Sequence, residues 1–291
     1  MTLAARLGLG AGLFGRGSTG ETSRRMSDAE AFATVAMAVD AGVQLIDLAA
    51  ERPDAERLLG EVLPSASPLR IVLKTPPLAA PSDTLERGVR AALQRLGHER
   101  AHALVVRNPS SLLGPDGPAL WDRMRRLKDD GLVDVIGISA CVCDAPLGLA
   151  RRFKPDLMQL PGSLLDQRLI ADGTLGEIAA LGVEIHLRSV FMQGLLFLAS
   201  HDLPPQMAAM TPGLSRIRLI LAQAGADPLQ AALAFALAQT EVSTVIIGVT
   251  SPSELRAALA AASAPPHELE WSALALNPPC LAGLQRCLAA A

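Results

Sequence analysis

The feature of this chain that most restricts its fold is a short apolar strand followed by an amphipathic helix, repeated along most of its length. The stretch GVQLIDLAAERPDAERLLG, residues 42–60, shows one unit: residues 43–48 are apolar and β-prone, Pro53 stops them, and Asp54 begins a helix with one apolar face. Further strands are predicted at 70–74, 103–107, 133–139, 156–160, 183–188 and 243–247. The other helices are predicted at 28–40, 83–96, 118–130, 146–153, 175–181, 214–224, 228–239 and 253–262.

The glycine-rich opening ARLGLGAGLFGRG has two interpretations. Gly10, Gly12 and Gly15 have the spacing of a dinucleotide-binding loop, which requires a helix immediately after it. The following GRGSTGETSRR is polar, so a first strand and turn are favoured. With that strand, eight units predict an α/β protein with a single (β/α)8 TIM barrel over residues 1–291, in which residues 264–291 form a tail packing on the barrel.

Composition restricts the classes of partner. The 291 residues are 50% hydrophobic and 19% charged, which predicts a folded protein with a large core. A net charge of -3 gives no reason to expect nucleic acid or an anionic membrane as a partner. No apolar run approaches the roughly 18 residues that span a bilayer, so a cytoplasmic location is predicted. Four cysteines are too few for a disulfide framework in a chain of this length.

The carboxyl ends of barrel strands form the rim where such folds place their chemistry. The last residues of the predicted strands, or those beside them, therefore make a candidate site: Asp47, Lys74, Arg107, Ser139, Gln159, Arg188 and Gly248.

These residues and the segment that contains Asp47 resemble the aldo-keto reductase family over about residues 5–262. Four signature residues are kept, namely Asp47, Ala49, Glu56 and Gly60. Lys74 ends its strand as the family's catalytic lysine does. Arg52 stands at the position of the catalytic tyrosine, Pro53 at that of a glycine, and Arg107 at that of the histidine. The resemblance implies NADP-dependent hydride transfer between carbonyl and alcohol, with an altered catalytic set: Asp47, Lys74, Arg52 and Arg107.

The same resemblance implies a set of cofactor-binding residues. Ser139 and Gln159 correspond to residues that bind the nicotinamide amide, while Ala140 replaces an asparagine. The segment RSVFMQGLL, which begins with Arg188 and Ser189, resembles a loop that covers the cofactor pyrophosphate. The segment GVTSPSEL resembles the loop that holds the adenosine phosphate, and it lacks the usual Arg or Lys. Hydroxyls and free N–H groups at a helix N-terminus also suit phosphate on physical grounds. This loop supplies Gly248, Thr250, Ser251 and Glu254.

Proton transfer is the chemical difficulty, because the chain contains no tyrosine. Guanidinium groups stay protonated, so Arg52 and Arg107 can stabilise charge but cannot act as acids. One hypothesis is that Lys74 or a bound water donates the proton instead. The other hypothesis is that Lys74 and Asp47 form an ion pair that was inherited from an active ancestor. Arg52 either faces the mouth or braces a loop.

Two functions are therefore compatible with the sequence. The first is an oxidoreductase that works without the tyrosine. The second is a catalytically inactive relative, a pseudoenzyme, that binds an anionic small molecule or a protein partner. Several rim arginines favour an anionic or carbonyl-containing small-molecule ligand in either case. Two other groups of residues each have a structural and a functional interpretation. Cys141 and Cys143 are either ordinary or reactive thiols. Glu184, His186 and Arg188 alternate along one strand and form either a core cluster or a proton relay.

Overall fold

The computed structural model describes residues 3–12, 14, 26–48, 52–63, 67, 69–76, 83–203, 205–264, 268–277 and 281. Eight parallel strands form one closed barrel in chain order, with β1 hydrogen-bonded to both β2 and β8. The strands are β1 (Leu7–Gly10), β2 (Leu45–Asp47), β3 (Arg70–Lys74), β4 (Ala101–Val106), β5 (Val133–Ser139), β6 (Leu157–Pro161), β7 (Glu184–Arg188) and β8 (Thr244–Gly248). The predicted (β/α)8 barrel is confirmed, and each strand predicted with bounds begins and ends within two residues of its prediction.

Helices follow the strands around the barrel. They are α1 (Asp28–Asp40), α2 (Pro53–Val62), α3 (Asp83–Leu96), α4 (Ser110–Leu113), α5 (Gly117–Asp129), α6 (Pro146–Phe153), α7 (Arg168–Ala171), α8 (Thr174–Ala180), α9 (Thr211–Gln223), α10 (Pro228–Leu237) and α11 (Pro252–Ser263). The sequence did not predict the single turns α4 and α7. Helix α9 begins three residues earlier than predicted, because Pro212 is tolerated in a first turn, where its missing N–H is not needed.

The core has two concentric layers. One apolar cluster is made only of strand residues and fills the barrel: Leu45, Val72, Ala103, Val105, Leu157 and Ile246. A larger cluster joins the outer faces of the strands to the helices. The alternation between the layers follows the two-residue period of a strand, so Leu45 points inward while Ile46 packs outward.

The opening glycines can be assigned in part. Gly8 and Gly10 lie within β1, as the strand interpretation requires. Gly15 lies outside the described residues, as do Ala49, Cys280 and much of the predicted tail. Within the described part of that tail, Trp271 packs on Phe235 of α10, and Leu274, Leu276 and Leu281 join a buried cluster with α9 and α10.

No single described helix is both long and apolar enough to cross a bilayer. One bent pair, Met207–Gln223 with Pro228–Leu237, reaches that length together, across a 94° break.

Candidate active site

The centre of the rim is an ion pair between two adjacent strands. Asp47 ends β2 and Lys74 ends β3, and Lys74 Nζ lies 2.5 Å from Asp47 Oδ2. Their side chains are only 9% and 15% exposed, so the pair is largely shielded from water. The sequence therefore placed both residues correctly on the rim, and the structure brings them into direct contact.

A third side chain completes this group. Gln159, on the far side of the barrel in β6, donates its Nε2–H to Asp47 Oδ1 across 2.8 Å. Gln159 is fully buried. The carboxylate is therefore held from two sides, by an ammonium on one oxygen and an amide on the other. We call Asp47, Lys74 and Gln159 the mouth cluster.

Arg52 is held by the loop that follows β1. Its Nη1 donates to the Gly12 carbonyl and its Nη2 to the Phe14 carbonyl, both at 2.9 Å. Of the two interpretations given by the sequence, these contacts favour the brace. A guanidinium bonded to neutral carbonyl oxygens keeps its positive charge, so Arg52 contributes to the electrostatics of the rim and not to proton transfer.

Arg107 follows directly after β4. Its backbone N–H donates to the buried Thr75 Oγ1 at 3.2 Å, which joins the chain after β4 to the chain after β3. The Arg107 side chain is exposed and forms no ion pair with a carboxylate within the described ranges. It is available to an anion that approaches the rim from solvent.

Arg188 ends β7 and lies across the rim toward the end of β5. Its Nη2 donates to the Ala140 carbonyl at 3.1 Å and contacts Cys141 Sγ at 3.3 Å, while Nη1 is 3.4 Å from Ser189 Oγ. Its Nε is buried without a hydrogen-bond partner in the described structure. Ser189 has φ +60°, an uncommon value for a residue with a side chain. Ser139 is buried at the end of β5, directly opposite Gln159 in the sheet.

The loop after β8 is hydrogen-bonded to a carboxylate in the first turn of α11. Glu254 accepts the Thr250 backbone N–H at 2.6 Å on one oxygen and the Thr250 hydroxyl at 2.7 Å on the other. Ser251 caps α11 by accepting from the Glu254 N–H at 3.2 Å, and its hydroxyl also contacts Ser253. Gly248 leaves open space at the rim, because a Cβ there would meet no atom within 4 Å. The donors that suit a phosphate are thus already paired with a negative charge.

The charges at the rim do not cancel. Lys74 and Asp47 neutralise each other, whereas among the described residues Arg52 and Arg188 bond uncharged groups and Arg107 faces solvent. These five residues leave an excess of positive charge, as the sequence predicted.

One of the two cysteines after β5, Cys143, has a raised thiol pKa. Partial burial raises the pKa of the Cys143 thiol, and the Asp144 carboxylate adds in the same direction. A raised thiol pKa reduces the thiolate fraction at neutral pH, which favours the interpretation as an ordinary thiol. Within the described residues no group of three or more His, Cys, Asp or Glu side chains is arranged to hold a metal ion.

The polar residues of β7 form a cluster below the mouth. Glu184 Oε1 lies 3.0 Å from His186 Nε2, 3.0 Å from Ser243 Oγ and 3.8 Å from Arg70 Nη1. The hydrogen bond from His186 lowers the pKa of Glu184 to about 2, against a smaller opposing effect of burial. Glu184 lies at the amino end of its strand, far from the rim, which favours a structural cluster. Arg188, at the other end of β7, does not share these contacts.

Sequence reasoning missed two contacts of the candidate residues. The bond between Gln159 and Asp47 joins residues 112 positions apart and has no local signal. The pairing of Glu254 with Thr250 does have a local sequence signal. A carboxylate four residues after a hydroxyl at the start of a helix can reach back to the free N–H groups.

Comparisons with known proteins agree with this fold. The model of the aldo/keto reductase family matches residues 6–275. A D-threo-aldose 1-dehydrogenase from a Pseudomonas species is 27% identical, with 87% of this chain and 89% of that protein covered. Among solved structures, an aldo-keto reductase from Bacillus halodurans has a TM-score of 0.72 at 19% identity, covering 97% of this chain and 91% of its own. One from Pseudomonas aeruginosa has a TM-score of 0.65 at 21% identity, covering 89% of each chain.

Proposed function

Because the chain belongs to the aldo/keto reductase family, we propose that it is an oxidoreductase that transfers hydride between a nicotinamide dinucleotide and a carbonyl or alcohol carbon, with Lys74 in place of the missing tyrosine. The observation that carries the proposal is the shielded contact between Lys74 and Asp47 at the rim. An ion pair retained only by descent would not need to be enclosed and held by a third residue, Gln159.

The residues at the rim fit a nicotinamide dinucleotide in part. The buried Arg188 Nε lacks a partner, the Ser139 hydroxyl lies at the end of β5, and the rim is open at Gly248. The extra phosphate of NADP fits less well, because Glu254 already occupies the Thr250 donors and would repel it. The resemblance implies NADP, whereas this carboxylate favours a cofactor without that phosphate.

The mouth cluster supplies the proton. An ammonium has three N–H donors, and contact with Asp47 uses one of them, so two remain for a substrate oxygen or a water. When bound, the cofactor supplies the hydride to the carbonyl carbon, and Lys74 gives a proton to the oxygen directly or through that water. In the reverse direction the neutral amine accepts the proton. Asp47 and Gln159 hold Nζ at the rim throughout, which is the orienting role of a paired base.

The substrate that we propose is a small polar carbonyl compound or its cyclic alcohol form. The Pseudomonas relative is named for dehydrogenation at carbon 1 of an aldose, which supports a sugar-like substrate here. The positive rim favours acidic groups on that substrate, because guanidinium groups pair well with carboxylate and phosphate.

A second candidate is a relative without catalysis that binds an anion. The Nε2 group of Gln159 already donates to Asp47, and Ala140 stands where the family has an asparagine. Both observations weaken the nicotinamide end of a cofactor site, while the rim arginines remain.

Equilibrium titration with NADH and NADPH, followed by cofactor fluorescence, is the first test because it requires no substrate. Saturable binding supports the oxidoreductase. Turnover of an aldose and carbonyl panel should then be abolished by Lys74→Met and unaffected by Lys154→Met, since Lys154 is an exposed lysine at the end of α6. No binding of either cofactor, with binding of a phosphate or carboxylate ligand, would favour the second candidate.

A further inference from the structure

Four polar residues form a continuous row across half of the barrel. Ser139 pairs with Gln159 between β5 and β6, Gln159 with His186 between β6 and β7, and His186 with Thr244 between β7 and β8. Register partners in a parallel sheet point to the same face, and here that face includes Gln159, which reaches Asp47 through the barrel. The row therefore lies inside the barrel, directly below the mouth cluster.

Three atoms of this row are buried and lack hydrogen-bond partners in the described part of the chain. They are Gln159 Oε1, His186 Nδ1 and Thr244 Oγ1. All three side chains are at most 1% exposed. Buried polar atoms are nearly always hydrogen-bonded, and leaving one unpaired is costly. Three such atoms, on side chains at register-paired positions of three adjacent strands, indicate a shared partner.

The hydrogen-bonding capacity of the three atoms defines that partner. Gln159 directs its NH2 group to Asp47, so Oε1 is an acceptor. The pKa of Glu184 is lowered to about 2, so its carboxylate accepts and His186 Nε2 carries the hydrogen that bonds it. In the tautomer with hydrogen on Nε2 alone, Nδ1 is a second acceptor. The Thr244 hydroxyl has a single hydrogen and can satisfy only one of the two acceptors. Because the hydroxyl bonds neither of them, the group requires two donors from outside and one acceptor for the hydroxyl hydrogen.

One contact orients the Thr244 side chain. A Cβ at Gly8 of β1 would lie 3.0 Å from Thr244 Cγ2, so the methyl group of Thr244 packs toward β1. The hydroxyl on the same Cβ is directed elsewhere.

We infer that one water molecule binds among Gln159, His186 and Thr244, donating to Gln159 Oε1 and His186 Nδ1 and accepting from the Thr244 hydroxyl. This arrangement gives a partner to each of the three unpaired atoms. It makes His186 and Thr244 positioning residues for the mouth: they fix the amide of Gln159, which in turn holds Asp47.

The water does not complete a proton relay from Glu184 to the rim. Gln159 lies between the water and Asp47, and its amide group exchanges no proton readily. The inferred connection therefore transmits position and polarity only. It does not depend on cofactor binding or turnover, so it can fail while the proposed oxidoreductase stands, and the reverse.

Imidazole ¹⁵N spectroscopy of the unliganded protein tests the site. We expect His186 to be the tautomer with hydrogen on Nε2, and we expect Thr244→Val, which keeps the shape and removes the hydroxyl, to shift the Nδ1 resonance. Thr244→Ser should restore that resonance. The resonances of His98, at the end of α3, are the internal control and should not move. An unchanged His186 Nδ1 in Thr244→Val would overturn the inference.

The urea midpoint of unfolding of Thr244→Val is an independent test, because the two alternatives shift the midpoint in opposite directions. If the hydroxyl donates to a bound water, its loss lowers the midpoint; if it is merely buried and unpaired, the apolar replacement raises it. A crystal structure of the wild-type protein keeps the inference testable should the variant not fold. Electron density for a water within hydrogen-bond reach of the three atoms supports it, and a direct bond between Thr244 Oγ1 and His186 Nδ1 with nothing between the strands refutes it.

Discussion

Lys74 is one of three lysines in a chain with 26 lysine and arginine residues. Arginine elsewhere supplies most of the positive charge, including the three rim positions Arg52, Arg107 and Arg188. A guanidinium would serve an ion pair with Asp47 at least as well as an ammonium, but it cannot release a proton. Proton transfer therefore requires a lysine at this shielded position, whereas an ion pair without a catalytic role does not.

Lys74→Arg separates charge from proton transfer. We expect kcat/KM to fall by about 10²- to 10⁴-fold, the usual contribution of a general acid, while cofactor affinity changes little. Steady-state kinetics and the fluorescence titration measure the two effects. Lys154→Arg, at an exposed position, is the matched control. Wild-type turnover by Lys74→Arg would show that Lys74 is not the acid.

Glu254→Gln tests the charge in the loop after β8. Removing the carboxylate that occupies the Thr250 donors should raise NADPH affinity relative to NADH by about 5-fold, the effect of one unit charge acting through a solvated site. Titration of both cofactors against the variant gives the ratio. Glu61→Gln, on the exposed face of α2, should leave the ratio unchanged. An equal change for both cofactors would mean that Glu254 does not face the phosphate.

At the scale of elements, two signature residues of the family serve helix packing. Gly60 of α2 lies against α3 so closely that a Cβ would be 2.2 Å from the Arg95 carbonyl oxygen. Glu56, one turn earlier, is buried and accepts from Arg95 Nε at 2.6 Å. The signature thus includes both Asp47 at the rim and the residues that pack the following helix against its neighbour.

Gly60→Ala should reduce the free energy of unfolding by about 1–3 kcal/mol, because the added methyl group must separate two packed helices. Gly88→Ala, on an exposed face of α3 with no atom near the new Cβ, should raise it by about 1 kcal/mol through helix propensity. Urea denaturation measures both variants. Equal effects of the two substitutions would contradict the packing argument.

At the scale of the whole molecule, the cluster at the amino end of the barrel makes stability depend on pH. The pKa of Glu184 is about 2 in the fold, below its ordinary value of 4.5. A lowered carboxyl pKa contributes stability that is complete above about 4.5 and is lost as the pH falls toward 2, because the unfolded chain takes up the proton first.

Glu184→Gln should therefore be less stable than wild type at pH 7, and the difference should shrink as the pH falls from about 4.5 to about 2. Urea unfolding at a series of pH values measures it, with Glu61→Gln as a variant whose difference from wild type stays constant. A difference that does not vary with pH would mean that Glu184 acts through packing alone.

The sequence alone determined the barrel and the position of its rim. Strand and helix periods are local properties, so β3 and β5 were predicted to the residue, and the end of a parallel strand fixes where Asp47 and Lys74 must lie. Charge excess at the rim followed from the same reasoning.

Only the tertiary structure decided which side chains meet. Gln159 bonds Asp47 across the barrel, and Arg52 turns to the loop after β1. Three atoms of Gln159, His186 and Thr244, which have no partner among the described residues, lie on three adjacent strands. The physical reason is that strand register and barrel closure set these distances. Both arise from the packing of the whole chain, and no local pattern of residues encodes them.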